Sequence, residues 1–322
     1  MDISTQYMGI KLPNPIIVSS SSLTASVKGV QEACRAGAGA VVLKSLFEED
    51  IAKANSSDRM DEGMDPEALL YLEQMNMLYE PDTYLNLVEG CVQSVDIPVI
   101  ASLNCNSVRW WVDYVERIAG VGAHAIELNL SPIALDYKTS AQKIEDKLVD
   151  MVVQARNTVS IPLAVKLGPH YSALPNLAIR LRDAGANALT LFNRYYTMDI
   201  NIDTMELKSG NTLSAAEEFS TVLRWIGILA ETPNLDFSAS TGIYDPSSLI
   251  KVLLAGGSAA QLCSVLYRNG LQVIQQFLDS LKEWMISHKF QSLNDFRGKL
   301  SMKDDQRNDF YQRLQYVKAI KG

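Results

Sequence analysis

"RAGAGAVVLKS", residues 35–45, ends one element and starts another within a few residues. Its Gly-rich half is a helix stop, because the residue after a helix C-terminus favours the left-handed conformation that glycine adopts at no steric cost. Its second half is aliphatic and β-branched with no polar alternation, as expected of a strand buried on both faces. The phrase returns in altered form as "GVGAHAIELN" (120–129), "DAGANALTLF" (183–192) and "LAGGSAAQLC" (254–263). Each time a helix ends at Gly, a short turn follows, and a buried strand begins. These are echoes of a βα unit rather than a solenoid repeat.

The same logic extends along the chain. Strand candidates are 15–20, 40–45, 97–104, 124–130, 161–168, 187–193, 235–240 and 258–264. Amphipathic helix-period segments lie between them, among others 107–119, 138–158, 173–184, 214–231 and 245–255. Eight apolar strands alternating with helices predict an α/β fold, a (β/α)8 TIM barrel, rather than a doubly wound sheet. No linker divides the chain, so one domain is expected over 1–322, with a barrel core at about 14–288. The opening "ISTQYMGIKLPNP" reads as an N-terminal hairpin that plugs the barrel bottom. Two long connections, from 46 to about 96 and from 194 to 213, read as lids or substrate walls. The charged tail, 289–322, reads as short helices outside the barrel.

Composition narrows the function. The chain has 322 residues, 47% of them hydrophobic, enough for a full core. No run reaches the length of a membrane span, and the N-terminus lacks a secretory pattern or an amphipathic membrane helix. A formal charge of −8 argues against a nucleic-acid groove. Cys34, Cys91, Cys105 and Cys263 are scattered, as in a reduced, cytoplasmic protein. The three histidines have no metal-ligand spacing, so no metal is expected.

Chemistry in a parallel barrel collects where strands end. Those ends carry Ser20, Lys44, Asn104, Asn129, Lys166, Asn193, Thr241-Gly242 and Cys263-Ser264. Lys44 and Lys166 each close an apolar strand, where an ammonium is expensive to desolvate unless an acceptor meets it. The plain alternative is a lysine reaching water at the rim. "ASTGIYDP" and "LCSVLYRNG" set small and hydroxylated residues after the last two strands, the usual phosphate site of such barrels. The alternative there is two ordinary tight turns. Together these parts describe a pocket with a phosphate at one end and a polar planar ring at the other.

At these residues the chain resembles the dihydroorotate dehydrogenase family of FMN-dependent barrels, in particular its soluble members. The resemblance runs through "NPIIVSSS", "AGAGAVVLKS", "ELNLSP", "VKL", "FN" at 192–193, "STGI" and "HKFQSLNDFRGKL". It implies an oxidoreductase that oxidises a CH–CH bond, dihydroorotate to orotate in pyrimidine biosynthesis or an altered related substrate. It also implies FMN as cofactor, a small-molecule substrate and a homodimer. By the resemblance, Lys44 sits beside the flavin near the substrate, and Lys166 approaches the N1/O2 edge of the ring. Ser20, Asn129 and Asn193 line flavin or substrate, and Asn104, from its place at a strand end, is a further cofactor candidate. Thr241, Gly242, Cys263 and Ser264 hold the phosphate, with Cys263 where the family has Gly.

One loop departs from the family. "AIELNLSPIALD", residues 125–136, is one residue short of the pattern Asn-x-Ser, Cys or Ser, Pro-Asn, in which the Cys or Ser takes a proton from carbon. Either the catalytic position is deleted and Ser131 keeps its neighbour's place, or Ser131 itself stands before the Pro as the base. The next family Asn, a substrate ligand, is Ile133 here. The substrate segment between strands two and three offers Asn76 as the nearest amide, and Arg194 follows Asn193 as a clamp for an anion or a solvated cation. The flavin site is thus expected to be kept while the dihydroorotate site is eroded. The candidate set is Ser131 and Lys44 for catalysis, and Asn76, Asn129, Asn193 and Arg194 for substrate. Cys105 is expected as a buried thiol, His170 as a loop histidine, Glu127 as a satisfied interior carboxylate and Trp110-Trp111 as packing. The rival readings are a Schiff-base lyase or aldolase using Lys166 or Lys44, and a flavin-binding protein without turnover.

Overall fold

The computed structural model describes residues 1–55, 81–105, 111–133, 135–194, 197–210 and 212–302. Its centre is a closed ring of eight parallel strands: β1 (Ile16–Val18), β2 (Ala40–Val42), β3 (Val99–Asn104), β4 (Ala125–Leu130), β5 (Leu163–Leu167), β6 (Ala188–Leu191), β7 (Asp236–Ser240) and β8 (Ala259–Leu262). Each pairs with its sequence neighbour, and β8 closes on β1 with Gln261 opposite Ile17. The fold is therefore the expected (β/α)8 barrel, and each strand lies within its candidate stretch.

Helices cover the outside, among them Val27–Arg35, Pro81–Ser94, Val112–Gly120, Ala141–Thr158, Leu174–Asp183, Phe219–Leu229, Pro246–Ala255 and Val273–Ser287. Their starts are set by side chains that satisfy orphan N–H groups: Ser26 accepts from Gly29, Ser140 from Lys143, and Asp245 from Ser248 ahead of Pro246. Their ends follow the repeated phrase. Gly37, Gly122, Gly185 and Gly256 all adopt positive φ after a helix.

Two cores result. The larger lies between strands and helices and includes Leu103, Leu128 and Phe237. The smaller lies inside the lower barrel, where Ala40, Ala125, Ala164, Ala188 and Ala259 leave room. An N-terminal hairpin fills it. Thr5–Tyr7 pairs with Ile10–Leu12 across a turn in which Met8 and Gly9 both have positive φ. Tyr7, Met8 and Leu12 insert between the alanines. The plug is the one expected from the sequence, and the small interior residues are its counterpart.

Three details depart from expectation. The second strand stops at Val42, so Lys44 lies beyond its regular part, and Leu46–Phe47 forms a further short strand against β3. The connection after β6 contains an exposed antiparallel hairpin, Met198–Asn201 with Glu206–Ser209, rather than only loop. The tail docks on the helices by backbone bonds, Gly298 to Leu253 and Met302 to Gly227, with one short 3-10 turn at Leu293–Asp295. No described helix is long and apolar enough to cross a membrane.

Candidate functional site

A cavity opens at the C-terminal ends of the strands, walled by residues of β1, β5, β6, β7 and β8 and the loops that follow them. Ser20, Lys166, Asn193, Arg194, Thr241, Gly242, Cys263 and Ser264 all line it, so the structure gathers eight of the sequence candidates at one place. Ser19, Ser214 and Gln261 join them, and the motifs do not point to these. A glutamine in the apolar run "SAAQLCS" was the one available signal for Gln261.

Lys166 is the penultimate residue of β5 and is 6% exposed. Its Nζ donates to Ser19 Oγ at 3.2 Å and lies 3.9 Å from Glu127 Oε1. Parallel register explains the convergence. Asn104, Asn129, Lys166 and Thr190 stand side by side on β3 to β6, so their side chains share one inward level. Beyond that level the loop after β4 turns back. Asn193 Nδ2 donates to Ser131 Oγ at 3.2 Å, and Ser131 Oγ donates to Asn129 Oδ1 at 3.4 Å. Ser131 is therefore held between two strand-end amides.

The opposite end of the cavity is a meeting of three loops. Ser264 Oγ accepts from Ser214 N–H and from Ser214 Oγ, both at 3.0 Å, and Gly242 N–H donates to Ser214 Oγ at 3.3 Å. Thr241 sits at φ 82°, a region a β-branched residue rarely adopts, and its Oγ1 donates to Phe192 O at 3.0 Å. Such strain costs about 1–3 kcal/mol and clusters at functional sites. At Gly242, also with positive φ, any Cβ would lie 2.4 Å from the Phe219 nitrogen. Burial pushes the Cys263 thiol up, with nearby Lys166 pulling the other way.

The charge pattern is one-sided. Lys166 and Arg194 line the cavity and, among the described residues, no carboxylate does, in a chain of net charge −8. Arg194 is not simply solvated: its Nε meets Glu218 at 3.2 Å and its guanidinium also reaches Thr212 O. Two cations, hydroxyls and backbone N–H groups suit an anionic, hydrogen-bonding ligand.

Other candidates fall outside this cavity. Lys44 does not line it; burial lowers its ammonium and Asp50 opposes that shift. Asn104 ends β3 beside Asn129 without lining the cavity. Ser20 Oγ bonds Ser45 Oγ at 3.1 Å, and Ser45 Oγ bonds Ser102 Oγ at 2.8 Å, tying the rim of the first three strands. Asn76 lies outside the described residues. Cys105 is buried, and burial holds its thiol well above the usual range. His170 is exposed and does not line the cavity, Trp111 is fully buried, and Trp110 lies outside the described residues. Glu127 is interior as expected but only partly satisfied: Oε2 accepts from Gln261 and Thr190, while Oε1 has no hydrogen bond. Among the described residues no cluster of His, Cys, Asp or Glu could hold a metal ion.

A closed parallel barrel with its polar, cation-bearing cavity at the strand C-termini belongs to the (β/α)8 class that carries its site on that face. The family model described as Dihydroorotate dehydrogenase matches residues 2–285, and the chain belongs to that family. It is 25% identical over 308 residues to the dihydroorotate dehydrogenase B (NAD(+)) catalytic subunit of Thermoplasma acidophilum, covering 92% of this chain and 98% of that one. Proteins of the same description from Pyrococcus abyssi (25%; 92% and 98% covered) and Citrifermentans bemidjiense (23%; 94% and 99% covered) align similarly.

Proposed function

We propose that the protein is an FMN-dependent oxidoreductase that oxidises a CH–CH bond of a dihydropyrimidine-like substrate, dihydroorotate or a close analogue. The observation that carries this reading is the cavity that bears Lys166 and Arg194, has no carboxylate among its described lining residues, and is tied by the Ser214, Gly242 and Ser264 network. The donor set fits FMN: hydroxyls and backbone N–H groups for a phosphate, a buried ammonium and amides for a polar ring. FMN when bound supplies a hydride acceptor at its N5.

The chain's own groups do the rest. Ser20, Asn104, Thr241, Gly242, Cys263 and Ser264 would hold the cofactor, and Lys44 would support Ser131 by sharing its proton. Lys166 supplies positive charge where negative charge gathers. Asn129 and Asn193 orient the substrate and hold Ser131, which takes the proton from the carbon next to the one that loses hydride. The amide pair around Ser131 supports the alignment in which Ser131 itself is the base. Ile133, 62% exposed on that loop, offers no hydrogen bond where the family has Asn, and this supports a substrate altered from dihydroorotate. Asn76 remains a substrate-side candidate by resemblance. Arg194, already engaged by Glu218, orients the wall more than it clamps a ligand.

Homodimerisation and a cytoplasmic setting are part of this reading. Met198, Ile200 and Leu207 share one exposed face of the hairpin after β6 and give a partner an apolar surface to cover. The test is the visible spectrum of the purified protein followed by anaerobic titration with dihydroorotate. Flavin absorbance that bleaches on titration is expected for the parent substrate. Flavin that bleaches only with analogues marks the altered substrate, and a colourless protein that takes up no FMN defeats the proposal.

A further inference from the structure

Beside the cavity-lining Lys166 lies a buried carboxylate that the reading above leaves without a task. Glu127 points into the barrel from β4 and is 1% exposed. Its Oε2 accepts from Gln261 Nε2 at 2.6 Å and from Thr190 Oγ1 at 2.8 Å. Its Oε1 accepts no hydrogen bond and faces Lys166 Nζ at 3.9 Å. Burying such a pair is costly, and well-packed apolar residues often replace one without loss of stability. Packing therefore gives no reason for this arrangement. Its position does, because it sets a negative charge directly behind the ammonium that faces the cavity.

We propose that Glu127 is a positioning residue that anchors the Lys166 ammonium and offsets part of its charge, and thereby sets the reduction potential of the flavin. This rests on the FMN reading above. With FMN bound, the Lys166 ammonium would favour the reduced ring by stabilising the negative charge that reduction brings. The carboxylate behind the ammonium opposes that stabilisation. Neutralising Glu127 while keeping its shape should shift the equilibrium toward reduced flavin.

The experiment measures the midpoint potential of FMN bound to the wild type, Glu127→Gln and Glu127→Asp at pH 7, by equilibration with redox dyes. Glu127→Gln should move the oxidised-to-reduced ratio at least tenfold toward reduced, about 30 mV upward for a two-electron couple. Glu127→Asp keeps the charge but withdraws it by one methylene. It should move the ratio the same way by a smaller step, roughly threefold, and it carries the test should the Gln variant not fold. Flavin-loaded variants with unchanged or lowered potentials overturn the inference and leave the FMN reading standing. Reduced flavin content at an unchanged potential marks a merely structural role and also overturns it. A wild type that takes up no FMN removes the reading and this inference together.

Discussion

At the scale of single residues, Ser131 and Thr241 carry the most specific expectations. Ser131→Ala should slow flavin reduction by substrate roughly 10²–10⁴-fold, the usual worth of a positioned acid–base group, with FMN content unchanged. Rapid-mixing absorbance checks it, and a rate within a few-fold of wild type removes Ser131 as the base. Thr241 holds a positive φ that suits glycine. Both Thr241→Gly and Thr241→Ala lose the bond to Phe192 O, but only glycine relaxes the backbone. Urea unfolding should therefore find Thr241→Gly more stable than Thr241→Ala by about 1 kcal/mol. Residues such as Lys166 and Ser264 were legible because a polar group at the end of an apolar strand is conspicuous. Ser19 and Ser214 were not. A serine reads as turn or surface until strand register or a distant partner shows what it faces, and Ser214 meets Ser264 from fifty positions away in the chain.

At the scale of elements, the N-terminal hairpin and the alanine-lined lower barrel are complementary halves of one packing unit. Tyr7 is fully buried, and its hydroxyl meets Ser238 Oγ at 3.0 Å and Thr190 Oγ1 at 3.3 Å. Burial, then Glu127, pushes that hydroxyl's titration up, so it stays a neutral partner. Tyr7→Ala should cost about 3–5 kcal/mol by leaving a cavity, whereas Tyr7→Phe should cost only about 1–2 kcal/mol through lost hydrogen bonds. Chemical denaturation of both variants checks the ordering. The hairpin, the strands and the Gly-capped helix ends were legible because each rests on local periodicity and turn chemistry. The hairpin at 198–209 was not, since its polar alternation, "MDIN" and "ELKS", is short and buries nothing that a pattern could register.

At the scale of the whole molecule, the ring is closed by a pairing between β1 and β8, and the cavity draws on both. Ser19 and Ser20 come from one end of the sequence, Gln261 and Ser264 from the other. The site should therefore vanish with the barrel rather than before it. Loss of flavin binding and loss of far-ultraviolet ellipticity should coincide in a urea titration, within the error of one cooperative transition. Flavin release well ahead of the ellipticity change would show that the rim melts independently of the ring. The barrel architecture was legible as a count of βα units, whereas the ring's register depends on pairings between distant segments.

The seam between the first and last strands also bears on how the polypeptide is made. A nascent chain still missing its eighth strand has no Ser264 to meet Ser214, and no partner for the edge of its first strand. Capture of a ligand on this face must wait until the ribosome has delivered the stretch near residue 264, so loading follows closure of the ring.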